Sequence, residues 1–230
     1  MNFCIILAAG AGTRFGSLKQ FEKINNREIF LYSIDKFLKS GKIDYTTLVI
    51  NKEKIEYTKN ILKKENINNI KIVEGGETRF LSLINGLKYL QNIIPLNPND
   101  NLIIHDAARP NFSIPTIDKI IDKLNTFEVV TLGYKITDAL KKISKEKEII
   151  FLQEDVDREN IWAVTTPQGF KIKLFIDLLK NKDTKIIPNI YDETSLFMKN
   201  NKSILIEDTR YNIKITYKED IDVLKKIMIK

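Results

Sequence analysis

The sequence predicts an α/β protein built on a mainly parallel, twisted sheet with helices on both faces. Three observations carry that expectation. Short apolar runs without polar alternation recur along the chain, as strands buried on both faces require. Segments with helical spacing separate them, in the βαβα rhythm that parallel crossovers impose. Polar segments rich in glycine and arginine directly follow several runs, and such sheets place their ligands beyond the strand C-termini.

The first run, residues 3–9, opens into Gly10-Ala11-Gly12-Thr13-Arg14-Phe15-Gly16, with Lys19 close behind. A glycine-rich loop after a buried strand brings bare backbone N–H groups close to an anion, and Arg14 and Lys19 add two cations. No Gly-Lys-Ser/Thr follows, so this is not a P-loop. Gly10, Gly12 and Gly16 are spaced one residue too widely for a dinucleotide fingerprint. The loop therefore reads as an anion cradle for a nucleotide; the plainer alternative is a simple strand-to-helix connection.

Leu31, Ile34, Phe37 and Leu38 mark a helix face, and residues 46–51 form the next strand. Residues 70–74 form a third strand, followed by Gly75-Gly76-Glu77-Thr78-Arg79 and a helix marked by Leu83, Leu87 and Leu90. A fourth strand, residues 101–105, ends in His105-Asp106-Ala107-Ala108-Arg109-Pro110. Pro115 starts a helix reaching Leu124, and residues 129–134 form a fifth strand.

From residue 137 the rhythm breaks. Residues 137–143 alternate like a strand, residues 144–148 form a charged turn, and residues 149–152 return. This predicts a β-arm at about 137–163, with Trp162 packed inside it, protruding from one domain that spans the chain. Two strands alone are marginal, so the arm is expected to pack on a partner. Residues 204–206 and 213–215 read as edge strands. Thr216 and Glu219 have capping-box spacing at the start of a last helix marked by Ile221, Leu224 and Ile227.

Composition narrows the class. A hydrophobic content of 43% suffices for a core, and no apolar run approaches the ~20 residues of a membrane span. The first residues lack a basic region and a cleavage site, and the lone Cys4 lies inside a strand. A cytoplasmic protein is expected. The net charge of +7 is spread over lysines interleaved with acids, without a basic stripe, so neither nucleic acid nor membrane is expected as a partner. Six arginines occur among 37 basic residues; Arg14, Arg79, Arg109 and Arg158 fall in the polar motifs, whereas Arg27 and Arg210 read as surface residues. A guanidinium suits bidentate recognition of phosphate or carboxylate.

Seven segments recur in the order of a known family. They are the Leu-Ala-Ala-Gly-Ala-Gly-Thr-Arg loop with Leu18-Lys19-Gln20-Phe21; Gly75-Gly76-Glu77-Thr78-Arg79 with Ser82; His105 to Pro110; Val156-Asp157-Arg158; Thr166-Pro167-Gln168; Asp192-Glu193-Thr194-Ser195; and Asn212-Ile213-Lys214-Ile215-Thr216. The chain resembles the 2-C-methyl-D-erythritol 4-phosphate cytidylyltransferases and the related ribitol-5-phosphate cytidylyltransferases. The resemblance implies a Rossmann-like nucleotidyltransferase fold. It also implies attack of an alditol phosphate oxygen on the α-phosphorus of CTP, with loss of pyrophosphate.

By that resemblance Arg14, Lys19 and Lys214 are catalytic, holding the triphosphate and the charge that develops on it. Ala8, Ala9, Gly10, Ala11, Gly12, Gly76, Glu77, Ser82 and Asp106 bind the nucleotide, and Asp106 ligates Mg²⁺. Arg109, Arg158, Thr166 and Asp138 serve the acceptor, with Arg158 and Thr166 reaching it from the neighbouring subunit of a homodimer through the exchanged arm. The residues alone also allow Asp106 as a turn cap, Lys19 and Lys214 as surface charge, and Arg158 as a surface ion pair. His105 reads as a packed strand-end histidine rather than a base.

Two positions depart from the isoprenoid enzymes. Ala139 stands where the arm motif carries Thr, and Tyr191 where Thr precedes the Asp-Glu pair. Both normally touch the acceptor, so another polyol phosphate, such as ribitol 5-phosphate, stays open beside methylerythritol phosphate. A non-catalytic nucleotide-binding protein on the same fold is the remaining alternative.

Overall fold

The computed structural model describes residues 1–180, 190 and 192–228. Seven strands form the central sheet: β1 (Asn2–Ala8), β4 (Tyr45–Ile50), β5 (Ile70–Glu74), β6 (Asn101–Asp106), β7 (Val129–Lys135), β10 (Trp162–Lys171) and β11 (Ser203–Glu207). The short pair β2 (Lys23–Ile24) and β3 (Arg27–Glu28) stands apart, as does the hairpin β8 (Leu140–Glu146) and β9 (Ile149–Val156). The helices are α1 (Ile29–Ser40), α2 (Ile55–Lys64), α3 (Arg79–Ile93), α4 (Ile114–Lys123), α5 (Lys173–Lys180), α6 (Thr194–Phe197) and α7 (Glu219–Ile227).

The sheet order is β11-β7-β10-β6-β1-β4-β5. β1 pairs in parallel with β4 on one side and β6 on the other. The connections diverge there, and a crevice opens beyond the C-terminal end of β1. Only β10 runs antiparallel to its neighbours.

The unbroken apolar run of β1 follows from burial on both faces. Cys4, Ile6 and Ala8 pack into one core with α1 and α4, through Phe30, Leu31, Ile34, Ile117 and Ile120. Phe3, Ile5 and Leu7 pack into the other, with Leu83, Leu87 and Leu90 of α3 and Phe175 of α5. α1 stops at Gly41, which takes the left-handed conformation. α3 begins where Thr78 Oγ1 accepts the Leu81 N–H at 3.0 Å.

The structure changes four parts of the sequence reading. β10 is a ten-residue strand inside the sheet, so Trp162 and Ala163 belong there rather than to the arm, facing Lys135 and Tyr134. Pro167 interrupts the strand pattern, and the ladder to β7 shifts register between Thr165 and Gly169, where a missing N–H is tolerated. Residues 213–215 form no strand; Ile215 alternates with its neighbours because it is buried beside Phe15, Ile24, Ile29 and Leu224. Thr216 caps no helix, its hydroxyl donating to the Lys214 carbonyl. Asp220 instead accepts the N–H groups of Thr216 and Tyr217, at 2.6 and 2.8 Å. Arg27 is no free surface residue: it forms a forked pair with Asp35 and also reaches Glu65.

The hairpin of β8 and β9 has the predicted two-stranded form, with cross-strand ion pairs Lys141–Asp155 and Lys142–Glu154. Its apolar side chains are uncovered, Ile149 being 60% and Leu152 73% exposed.

Candidate active site

A cleft of about 490 Å³ opens at the end of β1. Its first wall is the glycine loop. Gly12 has φ +67°, and a Cβ there would lie 1.9 Å from the Ser17 carbonyl oxygen, so the turn admits no side chain. The carbonyls of the loop are pinned by side chains. Gln20, buried in a 3₁₀ turn, donates to Ala8 at 2.6 Å and to Gly10 at 3.1 Å, and Asn51 donates to Ala9 at 2.9 Å. Among the described residues the N–H groups of Gly10, Ala11, Gly12, Thr13 and Arg14 have no acceptor. A run of free amides with Arg14 and Lys19 beside it is an anion cradle.

The second wall is the turn from β5 into α3. Gly76 N–H donates to Ser82 Oγ at 3.1 Å, and that hydroxyl donates onward to the Thr78 carbonyl at 2.9 Å. Ser82 therefore stitches the turn that it was expected to serve as a nucleotide contact, while still lining the cleft with Gly76 and Glu77.

The third wall is charged. Asp106, at the end of β6, receives Arg79 Nε on Oδ1 at 2.9 Å and Lys214 Nζ on Oδ2 at 2.6 Å. Burial alone would raise this carboxyl, but Arg79, Lys214 and Arg109 outweigh it and hold it well below the usual carboxylate range. Burial, and then the nearby Lys214, push the Lys19 ammonium down to about 8.

Lys214 rides on a strap, residues 212–216, that has no secondary structure. Asn212 ties it to the sheet by donating to the Thr166 carbonyl at 2.8 Å, and Ile215 N–H donates to Ala108 at 2.9 Å. Arg109 Nη1 donates to the Asn212 carbonyl at 2.9 Å.

The cleft thus gathers twelve expected residues: Ala8, Ala9, Gly10, Ala11, Gly12, Arg14, Lys19, Gly76, Glu77, Ser82, Asp106 and Lys214. Four acceptor-side expectations lie elsewhere. Arg109 is turned into the strap. Thr166 is buried in its own subunit's sheet, where its hydroxyl accepts the Asp106 N–H at 3.1 Å and meets His105 Nδ1 at 3.0 Å. Thr166 thus supports Asp106, and Arg109 supports the strap through Nη1 alone, its Nε being buried without a partner among the described residues. Asp138 and Arg158 are exposed at the base of the arm, where Arg158 donates to the Thr137 carbonyl. Tyr191 lies outside the described residues.

His105 is fully buried between Phe37 and Phe112, with Ser33 Oγ 3.1 Å from Nε2. Burial pushes it down to about 3, and it packs rather than titrates. Sequence reasoning passed over Gln20, Asn51 and Thr216 as lining residues and gave no role to Arg79 or Glu193. Arg79 pairs with both Asp106 and the buried Glu193. The clustering of arginines in the motifs was the available signal for Arg79.

The comparisons with known proteins converge on one family. A family model described as IspD, 2-C-methyl-D-erythritol 4-phosphate cytidylyltransferase, matches residues 3–230. The chain belongs to this family. It is a nucleotidyltransferase of the cytidylyltransferase class. A bifunctional IspD/IspF enzyme of Pelagibacter ubique is 37% identical over 226 residues, spanning 96% of this chain and 56% of the relative. The cytidylyltransferase of Leptospira interrogans is 31% identical, spanning 96% of this chain and 90% of the relative. The crystal structure of 4-diphosphocytidyl-2C-methyl-D-erythritol synthase from Anaerococcus prevotii is similar with a TM-score of 0.80 and 28% identity, over 100% of this chain and 99% of that one.

Proposed function

We propose that this chain joins CTP to 2-C-methyl-D-erythritol 4-phosphate, forming the CDP-alditol and pyrophosphate. The observation that carries the reading is the pairing of a free-amide loop with Lys19 and Lys214 about a single ionised carboxylate, in a chain of this family. A phosphate oxygen of the acceptor attacks the α-phosphorus in line. The bond from that phosphorus to the β-phosphate oxygen breaks, and pyrophosphate leaves with the electron pair. No proton needs to be removed from an acceptor phosphate that is already ionised, which agrees with the burial of His105. Catalysis is then positioning and charge stabilisation. The loop amides and Arg14 hold the triphosphate, and Lys19 and Lys214 meet the charge that gathers on the α-phosphate.

The donor set fits Mg²⁺. Among the described residues no group of three or more acidic, His or Cys side chains is placed to hold a metal ion by itself, and Mg²⁺ commonly takes one or two carboxylates together with phosphate oxygens and water. Asp106 would hold it. The ion would supply charge neutralisation at the phosphates and a fixed geometry for them.

The uncovered apolar side chains of β9 support a homodimer through the arm, with Arg158 and Asp138 offered to the partner's acceptor site. The lone Cys4, buried and unpaired, supports a cytoplasmic setting; no helix among the described residues is long and apolar enough to cross a membrane.

The test is chromatographic detection of product and pyrophosphate with a panel of alditol phosphates, methylerythritol and ribitol phosphates among them. Turnover is expected with methylerythritol phosphate, lost with chelator and in Asp106→Asn. Turnover with ribitol phosphate alone would replace the acceptor, and binding of CTP with no turnover of any acceptor would reject catalysis.

A further inference from the structure

The two oxygens of Asp106 stand in unlike settings. Oδ1 is bonded to Arg79 Nε, and Arg79 is held from behind by Glu193 through Nη1. Glu193 lies 114 positions further along the chain, and its side chain is 0% exposed. The turn that presents it is closed by Asp192, which accepts the Thr194 N–H at 2.8 Å. Glu193 is not part of the cleft wall. Oδ2 has a different partner: Lys214, whose side chain is 37% exposed and whose backbone belongs to the strap. One oxygen is thus braced by a buried ion pair, and the other is held by a single half-exposed ammonium.

We propose that Glu193 is a positioning residue of the reaction: acting through Arg79, it locks one Asp106 oxygen and reserves the other, which Lys214 gives up to the arriving metal–nucleotide. This rests on the cytidylyl-transfer reading above. The physical reason lies in the shape of the guanidinium. It binds a carboxylate best through two parallel N–H donors. With Nη1 held by Glu193, the plane of the guanidinium is fixed, and in that orientation it meets Asp106 through Nε alone. Without Glu193, the guanidinium is free to turn Nε and Nη2 together onto Asp106 and cover both oxygens. Lys214 has no such anchor and is free to move to a phosphate.

The experiment uses the whole chain and three readouts: CTP affinity without metal, Mn²⁺ affinity with CTP present from the electron paramagnetic resonance of free Mn²⁺, and kcat and KM with Mg²⁺. Glu193→Gln is expected to keep the metal-free CTP affinity, because the glycine loop is untouched. It should lose about tenfold or more in Mn²⁺ affinity, as outer partners of metal ligands do when removed, and kcat should fall with it. The double variant Arg79→Gln/Glu193→Gln should regain most of the Mn²⁺ affinity, since no guanidinium is left to cover Asp106. Wild-type Mn²⁺ affinity in Glu193→Gln, or a double variant weaker than the single one, would overturn the proposal. Should Glu193→Gln not fold, the double variant decides, since it strands no buried charge. Near-wild-type Mn²⁺ affinity then supports the proposal, and a loss matching that of Asp106→Asn overturns it. A wild-type protein that binds no CTP would defeat the cytidylyl reading instead.

Discussion

The side-chain amide of Gln20 lies 2.6 Å from the carbonyl oxygen of Ala8 and 3.1 Å from that of Gly10. One buried side chain therefore holds two carbonyls of the glycine loop. Gln20→Ala should leave both carbonyls short of a donor, at a cost of about 1–3 kcal/mol in stability, and should weaken CTP binding. Gln20→Glu should be worse, because a carboxylate donates nothing and repels the triphosphate. Urea denaturation and calorimetric titration with CTP measure the two effects. Unchanged CTP affinity in both variants would remove Gln20 from the cradle.

Lys19 sets an upper pH limit on nucleotide capture. Its ammonium is held down to about 8 by burial and by Lys214, and the charged form is the one that attracts phosphate. kcat/KM for CTP reports the free enzyme, so it should fall as pH rises through about 8. Lys19→Arg should carry the falling limb to higher pH, because a guanidinium stays charged. A profile flat well beyond that point in the wild type would contradict this role.

His105 makes the fold sensitive to mild acid. Its folded-state pKa of about 3 lies below the ordinary value of 6.5, so the unfolded chain binds a proton that the folded chain refuses. Stability is fully present above about 6.5 and is lost as pH falls toward about 3. The slope approaches about 1.4 kcal/mol per pH unit within that window. Wild type compared with His105→Gln between pH 7 and pH 5 isolates the effect, and equal losses in the two proteins would exclude it.

The arm gives a test that only a shared site can pass. Arg158→Ala should raise KM for the alditol phosphate far more than KM for CTP. Mixing Arg158→Ala subunits with Asp106→Asn subunits should restore part of the activity, since one site of a mixed dimer collects both lesions and the other neither. Purified heterodimers without recovery, or an active monomer by light scattering, would show that the arm completes no neighbouring site.

Much of the sheet and most of the cradle are legible in the sequence because both depend on local signals. β1, β4, β5, β6 and β7 are short runs rich in apolar residues, and the loops beyond several of them are marked by Gly10, Gly12, Gly76 and Asp106. What stays hidden depends on distant pairing. Nothing near Arg79 announces Glu193, and nothing near Asp106 announces the Thr166 hydroxyl on its N–H. β10 escapes because Pro167 breaks its pattern at the register shift. Thr166 bonds inside its own sheet and Arg109 gives Nη1 to the strap, contacts between segments far apart in the chain that no local pattern announces.

The strap that carries Lys214 has a consequence for the order in which the site is completed. The glycine loop, the β5–α3 turn and Asp106 all come from the first half of the chain, but Lys214 arrives 108 positions after Asp106 and depends on docking to Ala108 and Thr166. Translation therefore supplies Lys214 last of the residues that contact Asp106, after every strand of the sheet on which its strap docks.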